Sequence, residues 1–470
     1  MTRRVAEHEK TLLDCSQSDR LHLEPYTTVS SPDSPATSTR HALAGVLILL
    51  GLVQQILGFT GALPFPHGVG YALWLATLLL WRDIPRRTRW QAGALAIIGL
   101  ALLVIARWHY GAQIAWPAVT SGNTYVAAML VGVSFIGLIG NRSGRTRPLG
   151  RPITGRRGTL GTWLGVHLLG TILNLSTVFM IGDRLARRGP LTTPQLLALN
   201  RGLSSAALWS PFFASMGVVM TLAPGMEYSR ILAVGLPLAL LSGLLTTLEL
   251  SRRFDLAEVS GFSLSPRSLL MPVSMAILVM LFHFQLTPRL GIVSIITFLL
   301  PAVALASNLP AGPRWTLHRV RQHTLTRLPA MRGEIALFLS AGLLTLGLST
   351  FVAAATGSEW RLFSHFGSAQ AVTSFLAIVV SAVAGLHPII GVSVLASMLD
   401  LRGSEQTLFA FTALASWAVG TSVGPLSGIN LSLQGRYGVS GYRMMRHNVG
   451  YALLLSGLVV VAILTLDAWL

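Results

Sequence analysis

The chain has 470 residues, 52% of them hydrophobic and only 11% charged, whereas soluble domains are about 25% charged. That composition excludes a soluble globular protein. The formal charge of +18 comes from arginines set in short loops between apolar runs, a pattern that orients membrane helices and calls for no nucleic-acid partner. A single cysteine, Cys15, excludes an internal disulfide and any multi-cysteine metal site.

Residues 1–40 are polar and rich in Ser, Thr and Pro, which predicts a disordered cytoplasmic tail. Apolar runs then recur at 42–62, 69–81, 90–106, 115–140, 202–222, 230–250, 268–286, 290–306, 334–356, 404–432 and 447–469. Most are long enough to cross a hydrocarbon core of about 30 Å, so the expected fold is all-α and polytopic with about 11 transmembrane helices. Two further apolar segments, 158–183 and 367–400, remain. The arginine-rich stretches "WRDIPRRTRW", "NRSGRTRPLGRPITGRRG", "SRRFD", "PRWTLHRVRQHTLTRLPAMRG" and "QGRYGVSGYRMMRH" all face the cytoplasm only if both extra segments return to the side they came from. They are therefore expected to be re-entrant hairpins, which the bilayer tolerates where backbone is buried in protein or lines a wet cavity. With a cytoplasmic N-terminus the C-terminus is external, in a multi-pass protein of the cytoplasmic (inner) membrane. The expected divisions are the tail, a first half at 41–250 with an inward hairpin, spans and a basic cytoplasmic loop at 251–333, and a second half at 334–470 with an outward hairpin.

The two hairpin regions resemble each other. Asn174 aligns with His387 and Pro211 with Pro425, at separations of 37 and 38 residues. Each copy has a polar break in an apolar run, a short charged link containing Arg-Gly, and a span broken at a proline. Five crossings separate the copies, an odd number, so the repeat is expected to be inverted, as in secondary transporters whose interrupted helices bind substrate near the midplane. Pro425 lacks the helical N–H donor and clashes one turn back. Gly420, Gly424 and Gly428 lower the cost of unwinding, although their four-residue spacing would equally suit a small-residue packing face.

These breaks nominate a substrate- or ion-binding set: Asn174, Ser176 and Thr177 at the first tip, Ser210 and Pro211 at the first broken span, His387 and Pro388 at the second tip, and Thr421, Ser422, Gly424, Pro425, Ser427 and Asn430 at the second broken span. His387 would either donate to an anion or carry a coupling proton, since its reference pKa of about 6.5 is near working pH. The scarcity of carboxylates within spans, with Asp183, Glu249 and Asp400 at predicted ends, disfavours a cationic solute and favours an anionic one. No P-loop or His-Glu-x-x-His motif is found. The expectation is a non-enzymatic secondary transporter for a small, carboxylate-type anion, coupled to Na+ or H+, with no cofactor beyond Na+ as a coupling ion. The competing class is a membrane-embedded transferase or polymerase acting on a lipid-linked substrate, with Arg361, His365 and His387 at an outer cleft.

This order of spans, inward hairpin, spans, outward hairpin and spans over residues 42–469 resembles the ion transporter superfamily, which includes divalent anion:sodium symporters, citrate transporters and arsenite efflux permeases. The resemblance implies a homodimer in membrane lipid and elevator-like motion of the hairpin regions. The symporters carry a Ser-Asn-Thr motif at each tip that helps bind sodium and substrate carboxylates. Here the first tip has Asn174, Ser176 and Thr177, and the second has Gly385, Leu386, His387 and Pro388.

Overall fold

The computed structural model describes residues 38–59, 67–139, 153–264, 266–287, 290–357 and 360–470. The expected tail lies outside them, apart from its last three residues. The chain is an all-α polytopic membrane protein. Among the described residues eight helices are long and apolar enough to cross a membrane, and four shorter apolar helices accompany them.

The helices begin and end where local chemistry dictates. Helices α1 (Thr39–Phe59), α2 (Gly68–Leu79) and α3 (Arg86–His109) are followed by α4 (Thr124–Ser134). Strand β1 (Ile153–Thr154) leads into α5 (Gly155–Leu173) and α6 (Ser176–Ala186). Helix α7 (Thr193–Ala206) starts in a capping box, in which the Gln195 side chain accepts from the Thr192 N–H at 2.8 Å and Pro194 occupies the first turn. That box starts the first broken span at Thr193, well before the 202 that hydropathy indicated. Next come α8 (Ala214–Leu222), α9 (Tyr228–Arg253), β2 (Ser260–Gly261), α10 (Pro266–Leu281) and α11 (Ile292–Asn308). Strands β1 and β2 pair antiparallel, Ile153 opposite Gly261 and Thr154 opposite Ser260.

The basic stretch expected as a loop before residue 334 is a helix instead, α12 (Pro313–Ala330). Pro313 pre-sets its first turn, and no further Pro or Gly interrupts it until Pro329. Helix α13 (Arg332–Thr356) is followed by α14 (Ser368–Val383), α15 (Pro388–Ser397), α16 (Glu405–Val423), α17 (Gly428–Tyr437) and α18 (Gly441–Trp469).

Burial sorts these elements into layers. In its most apolar window the segment Glu405–Tyr437 is 100% buried, whereas α1 and α3 are each 28% buried and α18 is 33%. A helix buried all round belongs at the centre of a bundle, and one with a single buried stripe at its rim. So α16 is the central post, and α1, α3 and α18 turn Leu, Ile and Val side chains outward.

Both extra apolar segments fold back on themselves. In α5 and α6, a Cβ at Gly165 would lie 3.4 Å from Ile181 Cδ1, so the arms run antiparallel about the break at Asn174. Phe262 receives both ends: its N–H donates to Thr162 Oγ1 at 2.9 Å, and the Arg184 guanidinium sits 5.3 Å over its ring. In α14 and α15, a Cβ at Gly391 would come within 2.8 Å of Ile378. The Leu362 N–H donates to the Met398 carbonyl at 2.9 Å, so this chain segment also leaves where it came in.

Candidate functional site

Each fold-back tip is seated on a broken helix. At the first tip Asn174 takes a positive φ of 51° with ψ −138°, outside the left-handed helical region, a conformation that is strained for any residue but glycine. Its Nδ2 donates to the carbonyls of Ile172 at 3.3 Å and Phe212 at 3.2 Å. Ser210 Oγ donates to the Thr171 carbonyl at 2.8 Å. The gap between α7 and α8, centred on Pro211, therefore has its freed backbone groups bonded to the tip.

The second tip turns at Gly385, φ 103°, where a side chain would be strained. Gln91 of α3 donates to the Gly385 carbonyl at 2.8 Å. His387 caps α15: its Nδ1 accepts from the Ile389 N–H at 3.2 Å, and Pro388 fills the first helical position. An Nδ1 that accepts must be unprotonated, so the neutral ring carries its proton on Nε2. A Cβ at Gly420 would lie 2.8 Å from Pro388 Cγ, and one at Gly424 would lie 3.0 Å from the Ala382 carbonyl. Two of the three spaced glycines thus let the tip approach the central helix. Gly428 has no such neighbour within 4 Å and faces a cavity.

The break between α16 and α17 exposes carbonyls that a buried polar network takes up. Asn430 Nδ2 donates to the carbonyls of Gly424 at 2.9 Å and Ser422 at 3.4 Å, and Asn430 Oδ1 accepts from Asn200 Nδ2 at 2.8 Å. Asn448 Nδ2 donates to the Ser422 carbonyl at 2.8 Å, and its Oδ1 accepts from Arg201 Nε at 2.8 Å. Arg201, fully buried, pairs with Glu249 at 2.7 Å and lies 4.3 Å over the Tyr451 ring. The network joins the broken helices α7 and α16–α17 where they cross.

Between the tips lies a cavity with two connecting chambers. The wider, about 540 Å³, has Arg86, Arg87 and Arg332 among its lining residues. The inner chamber, about 120 Å³, is lined by Asn174, Ser204, His387, Trp417 and Thr421 among others. Leu175, Glu334, Phe338, His387 and Gly428 line both. The larger chamber falls in the range of about 300–1,000 Å³ usual for small-molecule sites. His387 meets Trp417 edge-on, ring centroids 5.3 Å apart.

Of the residues nominated from sequence, Asn174, His387 and Thr421 line the inner chamber. Thr421 Oγ1 donates to the Trp417 carbonyl at 2.7 Å. Ser176 Oγ accepts from Arg327 of α12. Thr177 is buried with no hydrogen-bond partner for its Oγ1. Pro388 packs on Gly420. Ser210, Pro211, Ser422, Gly424, Pro425, Ser427 and Asn430 do not line either chamber. Ser422 Oγ bonds back to the Val419 carbonyl at 2.7 Å, and Ser427 caps α17 by accepting from the Asn430 N–H. The prolines themselves stay out of the wall, which takes Phe213 and Ala214 from beside the first break and Leu426, Gly428 and Ile429 from beside the second.

Glu334, Gln91, Phe338 and the arginine rim are the site features that sequence reasoning missed. For Glu334 the available signal is an acid in the first turn of a predicted span. No protein-family model matches this chain, and no curated protein is similar to it.

Proposed function

We propose that this chain is a secondary active transporter that moves a small, carboxylate-type anion across the cytoplasmic membrane by alternating access, coupled to Na+ or H+. One observation carries the reading: a single cavity runs from an arginine rim to the tips of both fold-back segments. The rim attracts anions, and the Nε2–H of His387 and the amide of Asn174 offer donors at depth. Tips seated on interrupted helices are what a pair of opposed re-entrant hairpins would require, and with about 11 crossings this is the inverted repeat expected from the arginine loops. That topology puts the N-terminus in the cytoplasm and the C-terminus outside. Homodimer formation belongs to the same proposal.

Two of the three residues that would serve a transferase are otherwise engaged. Arg361 pairs with Asp400 at 2.7 Å and His365 Nδ1 lies 2.7 Å from the Glu405 carboxylate, so the loop carrying them is tied down away from His387. Purified protein in liposomes tests the proposal with radiolabelled acetate, succinate and citrate under Na+ and proton gradients. Saturable, gradient-driven uptake of at least one, lost in His387→Ala, is expected. No flux of any of them under either gradient would overturn it.

A further inference from the structure

We propose that Glu334 is the proton-carrying group of the cavity, so that solute movement is coupled to H+ and His387 serves as a fixed hydrogen-bond donor. The inference rests on the transporter reading above and adds the identity of the coupling ion and its carrier.

Glu334 lines both chambers and is accessible from the cavity. Among the described residues no group donates a hydrogen bond to its carboxylate or forms an ion pair with it. None of the cations around it bonds to it among the described residues. On its own helix, Arg332 donates from Nε to the Asp83 carbonyl at 2.8 Å and from Nη1 to the Pro329 carbonyl at 3.2 Å. Arg327 of α12, within electrostatic reach of Glu334, donates to Ser176 Oγ. From α3, Arg87 lies 5.8 Å over the Tyr442 ring, and Arg86 lines the wider chamber. His387 of the second tip, facing the same space, is held neutral by its cap.

A carboxylate that faces a cavity with no hydrogen bond or ion pair of its own is free to bind a cation or take up a proton. A bare metal cation needs several oxygen ligands at once; Leu175, Phe338, His387 and Gly428, which line both chambers with Glu334, carry no side-chain oxygen, and Asn174, Ser204, Thr421 and Gln91 each line only one of the two. A proton needs a single oxygen. The chemical step is complete in itself: the carboxylate takes one proton from the solution filling the cavity, forming an O–H bond, and gives it up after the cavity opens to the other side. His387 is poorly placed for that exchange, because protonating Nδ1 would break the cap of α15 and put a cation at a helix N-terminus. The first-turn position of Glu334 in α13 would by itself require only an acid near the helix end, not one lining a cavity.

Two measurements on the full-length protein in liposomes test this. Infrared difference spectra between about pH 8 and 5, the span around neutral-range titration, should show a protonated-carboxyl C=O band that disappears in Glu334→Gln. Internal pyranine should report acidification accompanying citrate, succinate or acetate uptake by the wild type. In Glu334→Gln acidification per solute taken up should fall to background, and Glu334→Asp should restore it. A C=O band unchanged in Glu334→Gln, or Glu334→Gln protein that still couples solute to protons, would overturn the inference while leaving transport standing. So would accumulation driven by Na+ and indifferent to the variant. A titrating Glu334 with no carboxylate flux in the wild type would instead overturn the transporter reading, and this inference with it.

Discussion

Removing Glu249 should unseat the crossing point of the two broken helices. Arg201 has no solvent-exposed side-chain area, and Glu249 is 12% exposed at 2.7 Å from it. Arg253 of the same helix also pairs with Glu249, but at the surface. Breaking a buried ion pair by deleting one partner costs about 3–5 kcal/mol, because the other charge is left uncompensated. Arg201 keeps its bonds to Asn448 and the His447 carbonyl and its place over Tyr451, so the lower end applies. Glu249→Ala is expected to lose about 3 kcal/mol, about a hundredfold in the folding equilibrium. The assay is equilibrium unfolding in mixed detergent micelles, read by a probe of tertiary structure. Arg201→Met combined with Glu249→Ala removes both charges and should recover much of the loss, giving strong coupling in the double-mutant cycle. A single variant within about 0.5 kcal/mol of the wild type, the scale of ordinary surface substitutions, or an additive cycle, would refute the claim that this pair holds the crossing together.

Gly420→Ala should destabilise by about 1–3 kcal/mol, because its methyl would meet Pro388 and Ala382 of the second tip, whereas Gly428→Ala should fold normally; equal thermal stabilities for the two would contradict the packing described. His323 of α12 is pushed down to about 4, first by burial and then by Arg327 and Arg319. A histidine with a depressed folded-state pKa stabilises fully above its unfolded value of about 6.5, and that stability is lost as pH falls toward about 4. Thermal unfolding from about pH 8 to 4 should therefore show a decline below about 6.5 that is shallower in His323→Phe; identical slopes would count against it. In a Cys15→Ala chain, a cysteine at Arg188 should label from the cytoplasm and one at Ser404 from outside; labelling of both from one side would end the opposed-hairpin reading.

The breaks were legible in sequence because they are local backbone chemistry. Helices end at Pro211, Pro425, Gly385 and the His-Pro step at residues 387–388, where proline or glycine stands among polar residues, whereas Pro237 and Pro301 stay inside α9 and α11. Of the cavity wall, Asn174, His387 and Thr421 were legible and the rest was not. Glu334 follows an arginine-rich stretch and reads as a first-turn acid, and its exposure to a cavity depends on α3 and the second tip, more than 240 and 50 residues away. Arg201 reads as one more arginine near a span end. Its burial is set by Glu249 and Asn448, which only the fold brings together. Asn430 shows the opposite error: a polar side chain beside a proline suggested a ligand, but the freed carbonyls of Ser422 and Gly424 occupy its amide.

Alternating access through the cavity is tested most directly at Gly428, which lines both chambers and has room for a side chain. Gly428→Cys in a Cys15→Ala chain, reconstituted in one orientation, would be exposed to a membrane-impermeant maleimide added first to one side and then to the other, with and without a citrate gradient. The account predicts labelling from both sides, with the balance shifted by the gradient. Labelling from a single side under every condition would contradict it.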